Sequence, residues 1–195
     1  MVISLISNFT TIPPVYVNIK LLFEGMYNPL SNSLNRTEPV TAYLHQNVSP
    51  YNITDSAGSE IDSISFTGHF KFYNALSGNY YIAVKHLNSI ETWSKSGGQN
   101  LLTDGTIHFY DFTNEISQAY GYNLKLKDSK YCLYGGDINQ DGITDASDVS
   151  EVDNDAYNSV SGYVRTDLTG DDFVDAQDLS IVDNNAYNSV SVIRP

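Results

Sequence analysis

Between residues 15 and 24 the chain reads VYVNIKLLFE, which puts Val15, Val17, Ile19, Leu21 and Phe23 on one side and more polar residues between them. A period of two predicts a half-buried strand. Pro13-Pro14 precedes this run and Gly25 follows it, both punctuating residues. Further strand-like runs occupy Thr41–Gln46, Ile61–Asn74, Asn79–His86, Thr106–Phe112 and Gln118–Lys127, the last continuing to Tyr134. Segments such as NPLSNSLNRTEP and SKSGGQ separate them. Six or seven short strands with turn signals and no helical period predict an all-β sandwich over residues 1–135.

At Gly136 the pattern changes. Val149, Val152 and Ala156, and again Leu179, Val182 and Ala186, recur at i, i+3 and i+7, which predicts two short helices with their apolar stripes turned to each other. Residues 136–165 and 166–195 are one sequence written twice, with half of their thirty positions identical. The shared residues include Asp137/Asp167, Asp141/Asp171, Asp145/Asp175, Asp148/Asp178 and the block Ala-Tyr-Asn-Ser-Val-Ser.

Charge follows the same division. Of the net −13, residues 136–195 hold thirteen acids against two arginines, and residues 1–135 hold ten acids against eight bases. The acidity therefore belongs to the duplicated stretch. Nothing basic argues for nucleic acid or an anionic membrane surface. The 41 % apolar content and fifteen tyrosines argue against a disordered acidic chain.

Within each unit the carboxylates stand at positions 1, 5, 9 and 12 of a loop, with Asn139 or Thr169 at position 3 and Ile143 or Phe173 at position 7, able to offer a backbone carbonyl. This is calcium spacing, since Ca²⁺ takes six to eight oxygens at about 2.3–2.6 Å from short acidic side chains on a tight turn. Position 6 needs a left-handed backbone, natural for Gly142 and less so for Asp172, so the second site is expected to be the weaker. Without metal the carboxylates repel, so folding of this part is expected to be coupled to binding.

These features resemble the type I dockerin, a module of two calcium loop–helix units that plugs into a cohesin β-sandwich in bacterial extracellular assemblies. The resemblance covers residues 136–195. It implies two Ca²⁺ ions, one held by Asp137, Asn139, Asp141, the Ile143 carbonyl, Asp145 and Asp148, the other by Asp167, Thr169, Asp171, the Phe173 carbonyl, Asp175 and Asp178. It also implies that Ala146-Ser147 and Ala176-Gln177, at loop positions 10 and 11, help to choose the partner. Thr169 and Asp172 depart from the pattern. In the first part, SGNYYIAVKH (77–86), a tight turn running into an alternating strand, is similar to the transthyretin-like and Ig-like sandwiches of bacterial surface proteins.

The remaining residues suggest no catalytic set, and an enzyme is not expected. His45, His69, His86 and His108 each lie in a strand pattern beside apolar residues, which points to cross-strand packing rather than to zinc. Cys132 is the single cysteine, which suits a buried, inert thiol. No G-x-S-x-G elbow or Gly-rich phosphate loop occurs. Trp93, beside Glu91, could form a stacking platform for a sugar, although such a residue more often caps a sandwich core. The opening MVISLISNF is too short to span a membrane or to act as a complete signal peptide.

The expectation is a calcium-binding structural protein of the cell exterior or surface. Tyr134-Gly135-Gly136 reads as a hinge too short for the second part to dock easily on its own sandwich. The sandwich of the next molecule is then the acceptor, and head-to-tail contacts of that kind build a homopolymeric filament or tube. The alternative is an anchoring module that binds a cohesin-like protein, and a third reading is a carbohydrate-binding accessory domain.

Overall fold

The computed structural model describes residues 12–195, so the reading of MVISLISNF lies outside the described residues. In chain order the strands are β1 (Val15–Lys20), β2 (Tyr27–Asn28), β3 (Ser33–Leu34), β4 (Glu38–Gln46), β5 (Ile53–Ile61), β6 (Thr67–Phe72), β7 (Gly78–His86), β8 (Ser89–Trp93), β9 (Gln99–Leu101), β10 (Ile107–Asp111), β11 (Lys125–Lys127) and β12 (Lys130–Cys132). Two helices follow, α1 (Ala146–Tyr157) and α2 (Ala176–Tyr187).

The strands make a β-sandwich. One sheet has the order β10-β1-β6, with β1 parallel to β10 and antiparallel to β6. The other runs β5-β4-β7-β8, and β9 shares the outer edge of β7. Val15, Val17 and Ile19 of β1 face inward at 0–1 % exposure, meeting Phe70 and Phe72 of β6 and Val40, Ala42, Leu44, Ile82 and Val84 of the second sheet. The alternation in VYVNIK thus has its stated cause, since one face of β1 is core.

Two strands carry no apolar alternation. β5, ITDSAGSEI, is polar on both faces for most of its length and is held by its register with β4 from Glu38↔Ile61 to His45↔Ile53. β8 is fixed on β7 by Ala83↔Trp93 and Val84↔Thr92. Where the expected run from Gln118 begins, the chain makes two 3₁₀ turns, Ile116–Gln118 and Tyr120–Tyr122, with Gly121 at φ 64° interrupting the second, and the strands of that run are the short pair β11 and β12. Cys132 is fully buried, and desolvation pushes its thiol up to about 12, consistent with an inert role.

The expected hinge is a clamp. Gly136 N donates to Asn88 O at 2.7 Å, and Gly135 N donates to the Glu24 carboxylate at 3.2 Å. Asn185 of α2 donates to the same Glu24 oxygen at 2.6 Å and to Gly135 O at 2.9 Å. Gly25 lies so close to the Leu168 carbonyl that a Cβ would run into it. Residues 136–195 therefore pack on the sandwich of their own chain. The filament reading rested on a connection too short for that, and its premise is removed. A short connector does not keep two parts separate when both flank it with complementary surfaces.

Candidate functional site: the duplicated loops and their seat on the sandwich

The ninth loop position is the N-cap of each helix. Asp145 caps α1 by accepting from Ser147 N, and Asp175 caps α2 by accepting from Gln177 N. The carboxylate three residues on completes a capping box in both cases. Between the helices Val152 and Val182 are fully buried together with Ile138, Leu168 and Val174, so the predicted stripes do form a small core of their own.

The units brace each other reciprocally. Thr144 N of the first loop donates to Val190 O behind α2, and Val174 N of the second loop donates to Val160 O behind α1. One step outward, Val192 N reaches Gly142 O and Gly162 N reaches Asp172 O. Each loop is thus closed by the tail of the other unit.

Inside the loops, side-chain oxygens are turned onto backbone N–H groups. Asn139 Oδ1 accepts from Asp141 N, and Asp141 Oδ1 accepts from Ile143 N. Asp137 Oδ1 accepts from Gly142 N at 3.3 Å. Asp148 accepts from Ile138 N, Asn139 N and Asp145 N, and Asp178 from Leu168 N, Thr169 N and Asp175 N. Asp171 Oδ1 takes Phe173 N. Gly142 has φ 92°, and Asp172 in the equivalent place has φ 68°, the left-handed backbone expected there.

Asp137, Asp148, Asp167 and Asp178 are 0–2 % exposed, whereas Asp141, Ile143, Asp145, Asp171, Phe173 and Asp175 are open to solvent. Asn139 also faces outward, and Thr169 is buried at 7 %. Burial, with the neighbouring Asp148 and Asp141 carboxylates, pushes Asp137 up to about 6. Burial likewise raises Asp178, with Asp167 adding to it. The carboxylates are close enough to repel, yet among the described residues no three His, Cys, Asp or Glu side chains converge on one point. The donor set, carboxylate, amide and carbonyl oxygens around a buried repelling pair, fits a hard divalent cation in kind.

A pH prediction follows for the metal-free protein. An acid whose folded-state pKa lies near 6, against 3.8 for the ordinary group, binds its proton more tightly when folded, so stability falls as pH rises through that window. Amide exchange at Gly142 is expected to be slower at pH 5 than at pH 7 after correction for intrinsic rates. Asp137→Asn is expected to remove most of that dependence, and an unchanged profile would refute it.

The second loop is seated on the sandwich through a network invisible in the sequence. Arg36, just ahead of β4, donates from Nη1 to Asp167 Oδ2 at 2.9 Å and to Asp172 Oδ1 at 3.0 Å. Its Nε pairs with Glu38, and its guanidinium lies over the Tyr163 ring, 4.7 Å from the centroid. Glu38 is fully buried and accepts from His86 Nε2 and Tyr163 Oη, while Asn35 Nδ2 donates to Thr169 O. Burial alone would raise Glu38, but His86 and Arg36 outweigh it and hold the carboxyl below its usual range. Burial lowers His86, against the opposing pull of the Glu38 carboxylate.

Of the four histidines, His45 and His86 are held by packing, while His69 is exposed and hydrogen-bonded to Asn18 across the β1–β6 pair. His45 lies against Trp93 with centroids 4.1 Å apart, and His86 against Phe23 at 4.0 Å. Trp93 is 4 % exposed, donates Nε1 to Glu91, and sits under Tyr43, Tyr51, Tyr120 and Val192, so it caps a core and offers no platform for a sugar. Tyr80 and Tyr81, adjacent in β7, point to opposite faces, and both are covered.

No protein-family model matches the chain, and no curated protein matches its sequence. Among solved structures it is similar to a chain of the type II cohesin–X-dockerin complex of Acetivibrio cellulolyticus, Coh3ScaB with a C-terminal interface mutant of the X-dockerin. The identity is 15 %, the match covers 87 % of this chain and 94 % of that one, and the TM-score is 0.53. The N-terminal interface mutant of the same complex matches at 15 % identity over 88 % and 92 %, with a TM-score of 0.46. At this identity the first likeness establishes a shared fold. A match over 87 % of the chain has to run through both the sandwich and the duplicated loops.

Proposed function

We propose that this chain is a non-catalytic protein-docking unit of the cell exterior or surface, in which a dockerin-like pair of calcium loops is mounted on a β-sandwich. The observation that carries the reading is the reciprocal bracing of the two loops. It sets Ala146-Ser147 and Ala176-Gln177, all exposed, at equivalent places on the first turns of two packed helices. A paired, solvent-facing surface on a rigid seat suits recognition of another protein. The likeness to a chain of a cohesin–X-dockerin complex supports a cohesin-type β-sandwich as the partner. Calcium would be held by the twelve loop residues named above, and it would replace N–H donors and protons as the compensation for the buried carboxylates.

The sandwich, on this reading, is the pedestal. The contacts through Glu24, Arg36 and Asn88 hold the module on the sandwich and leave Ala146, Ser147, Ala176 and Gln177 exposed. Among the described residues no helix is long and apolar enough to cross a membrane.

The test is capture of cohesin-type sandwiches by the full chain with calcium and with chelator. Binding that requires calcium, and that falls at least about tenfold when Ser147 and Gln177 are both changed to Arg, is the expected result. A partner bound equally well by that variant would move the docking face elsewhere. Polymers in calcium without any partner would favour self-assembly instead.

A further inference from the structure

The two loops are alike in sequence and unlike in surroundings. Asp137, first in its loop, receives the Gly142 N–H. Asp167, first in the second loop, has both oxygens engaged, Oδ1 by Gly170 N at 2.7 Å and Thr169 Oγ1 at 3.3 Å, Oδ2 by Asp172 N at 3.1 Å and Arg36 Nη1 at 2.9 Å. The loops also differ by one charge, because Asp172 stands where the first loop has Gly142. That extra carboxylate meets the same Nη1 at 3.0 Å.

Arg36 is not a loose surface partner. Its side chain is 18 % exposed, held from behind by buried Glu38 and covered by the Tyr163 ring. Its Nη2 is buried with no hydrogen-bond partner among the described residues. Leaving a guanidinium N–H unmet inside the protein is unfavourable, so the position is fixed by what Nη1 and Nε gain from three carboxylates. Gly170 passes close by, where a Cβ would stand 3.5 Å from Arg36 Nε, so the loop backbone and the guanidinium are fitted to each other.

We propose that Arg36 is the built-in cation of the second loop, so that this loop holds its shape without a divalent ion, whereas the first loop has only an added ion to neutralise its buried carboxylates. The part that concerns calcium rests on the docking reading above. A fixed positive charge on a ligand oxygen opposes a divalent ion bound to the same carboxylate, and at these separations the repulsion is large compared with RT. The second loop is therefore a low-affinity site by construction, and Asp172 is its anchor to the sandwich rather than a misfit at position 6. Metal occupancy of the first loop alone then decides whether the pair is fully ordered.

Two measurements on the full chain test this. In chelator, hydrogen exchange should show amides 168–175 protected and amides 138–145 less so, and Arg36→Gln should raise exchange at 168–175 at least about tenfold while leaving the sandwich strand β1 unchanged. In a calcium titration followed by calorimetry and by exchange at each loop, the wild-type protein should fill the first loop before the second. Arg36→Gln should tighten the second loop about tenfold or more, and Arg36→Lys, which keeps the charge but loses the fork, should lie between.

If Arg36→Gln leaves exchange in the second loop unchanged in chelator, or weakens its calcium binding, the assignment of Arg36 is overturned, while calcium in the first loop would still support the docking reading. If neither loop binds calcium at millimolar concentration, the calcium reading fails, and the role of Arg36 is decided by the chelator arm alone.

Discussion

Glu38→Ala is expected to destabilise the protein by about 3–5 kcal/mol, the cost of removing one member of a buried charged network. Glu38 is fully buried and accepts from Arg36, His86 and Tyr163, so its loss leaves a guanidinium held near two loop carboxylates without its counterweight. It also unseats the second loop, because the same guanidinium holds Asp167 and Asp172. Glu38 sits below its usual range when folded, so its contribution is present above the unfolded-state value, roughly 4.3, and is lost as pH falls through the folded value. Acid unfolding of the wild type should accordingly begin at the interface between β4 and residues 163–172. Denaturant melts of Glu38→Ala and Glu38→Gln, read with exchange at Leu168, check this. A loss under 1 kcal/mol would show the network to be incidental.

That network marks the limit of what the sequence conveys. Strand alternation at 15–24, the change of period at Gly136 and the duplicated aspartates are local signals, and the structure has a strand over Val15–Lys20 and two helices, one after each set of aspartates. β5 was hidden because an edge strand with solvent on one side needs little apolar alternation, and ITDSAGSEI reads as a turn-rich segment. Arg36 and Glu38 stand in NRTEP, a loop by composition, and their partners Asp167 and Asp172 are more than 125 residues away. Pairing at that distance leaves no trace in one sequence. A weak hint existed in Asp172 itself, an acidic residue at a position where glycine is easier, which implied that its side chain had some use.

The short hinge failed as an argument for a related reason. Tyr134-Gly135-Gly136 gives the reach between two parts but says nothing about the surfaces on either side. Those surfaces carry Glu24, Asn88 and Asn185, each unremarkable in its own segment. Together they bind the Gly135 and Gly136 backbone and the carbonyls of Arg165 and Asp167. The sandwich on which residues 136–195 pack belongs to the same chain.

Asp148→Ala is expected to abolish order in the first loop whether or not calcium is present, with a loss of about 3 kcal/mol or more. The sequence marks Asp148 as the twelfth-position ligand, and a pure ligand would matter only when metal is bound. In the structure it is fully buried and accepts three backbone N–H groups, those of Ile138, Asn139 and Asp145, so it ties the start of the loop to the start of α1. Truncation leaves those donors unmet, at roughly 1–3 kcal/mol for each buried group, and removes half of the capping box. Because Thr144 and Gly142 brace the tail of the second unit through Val190 and Val192, disorder should spread to residues 190–192 before it reaches α1. Asp137→Ala is the comparison, since it receives a single long hydrogen bond from Gly142, at 3.3 Å, and should cost little in chelator while weakening calcium binding strongly. Equal effects of the two substitutions in chelator, measured by exchange at Val152 and Thr144, would show that Asp148 has no structural role apart from metal.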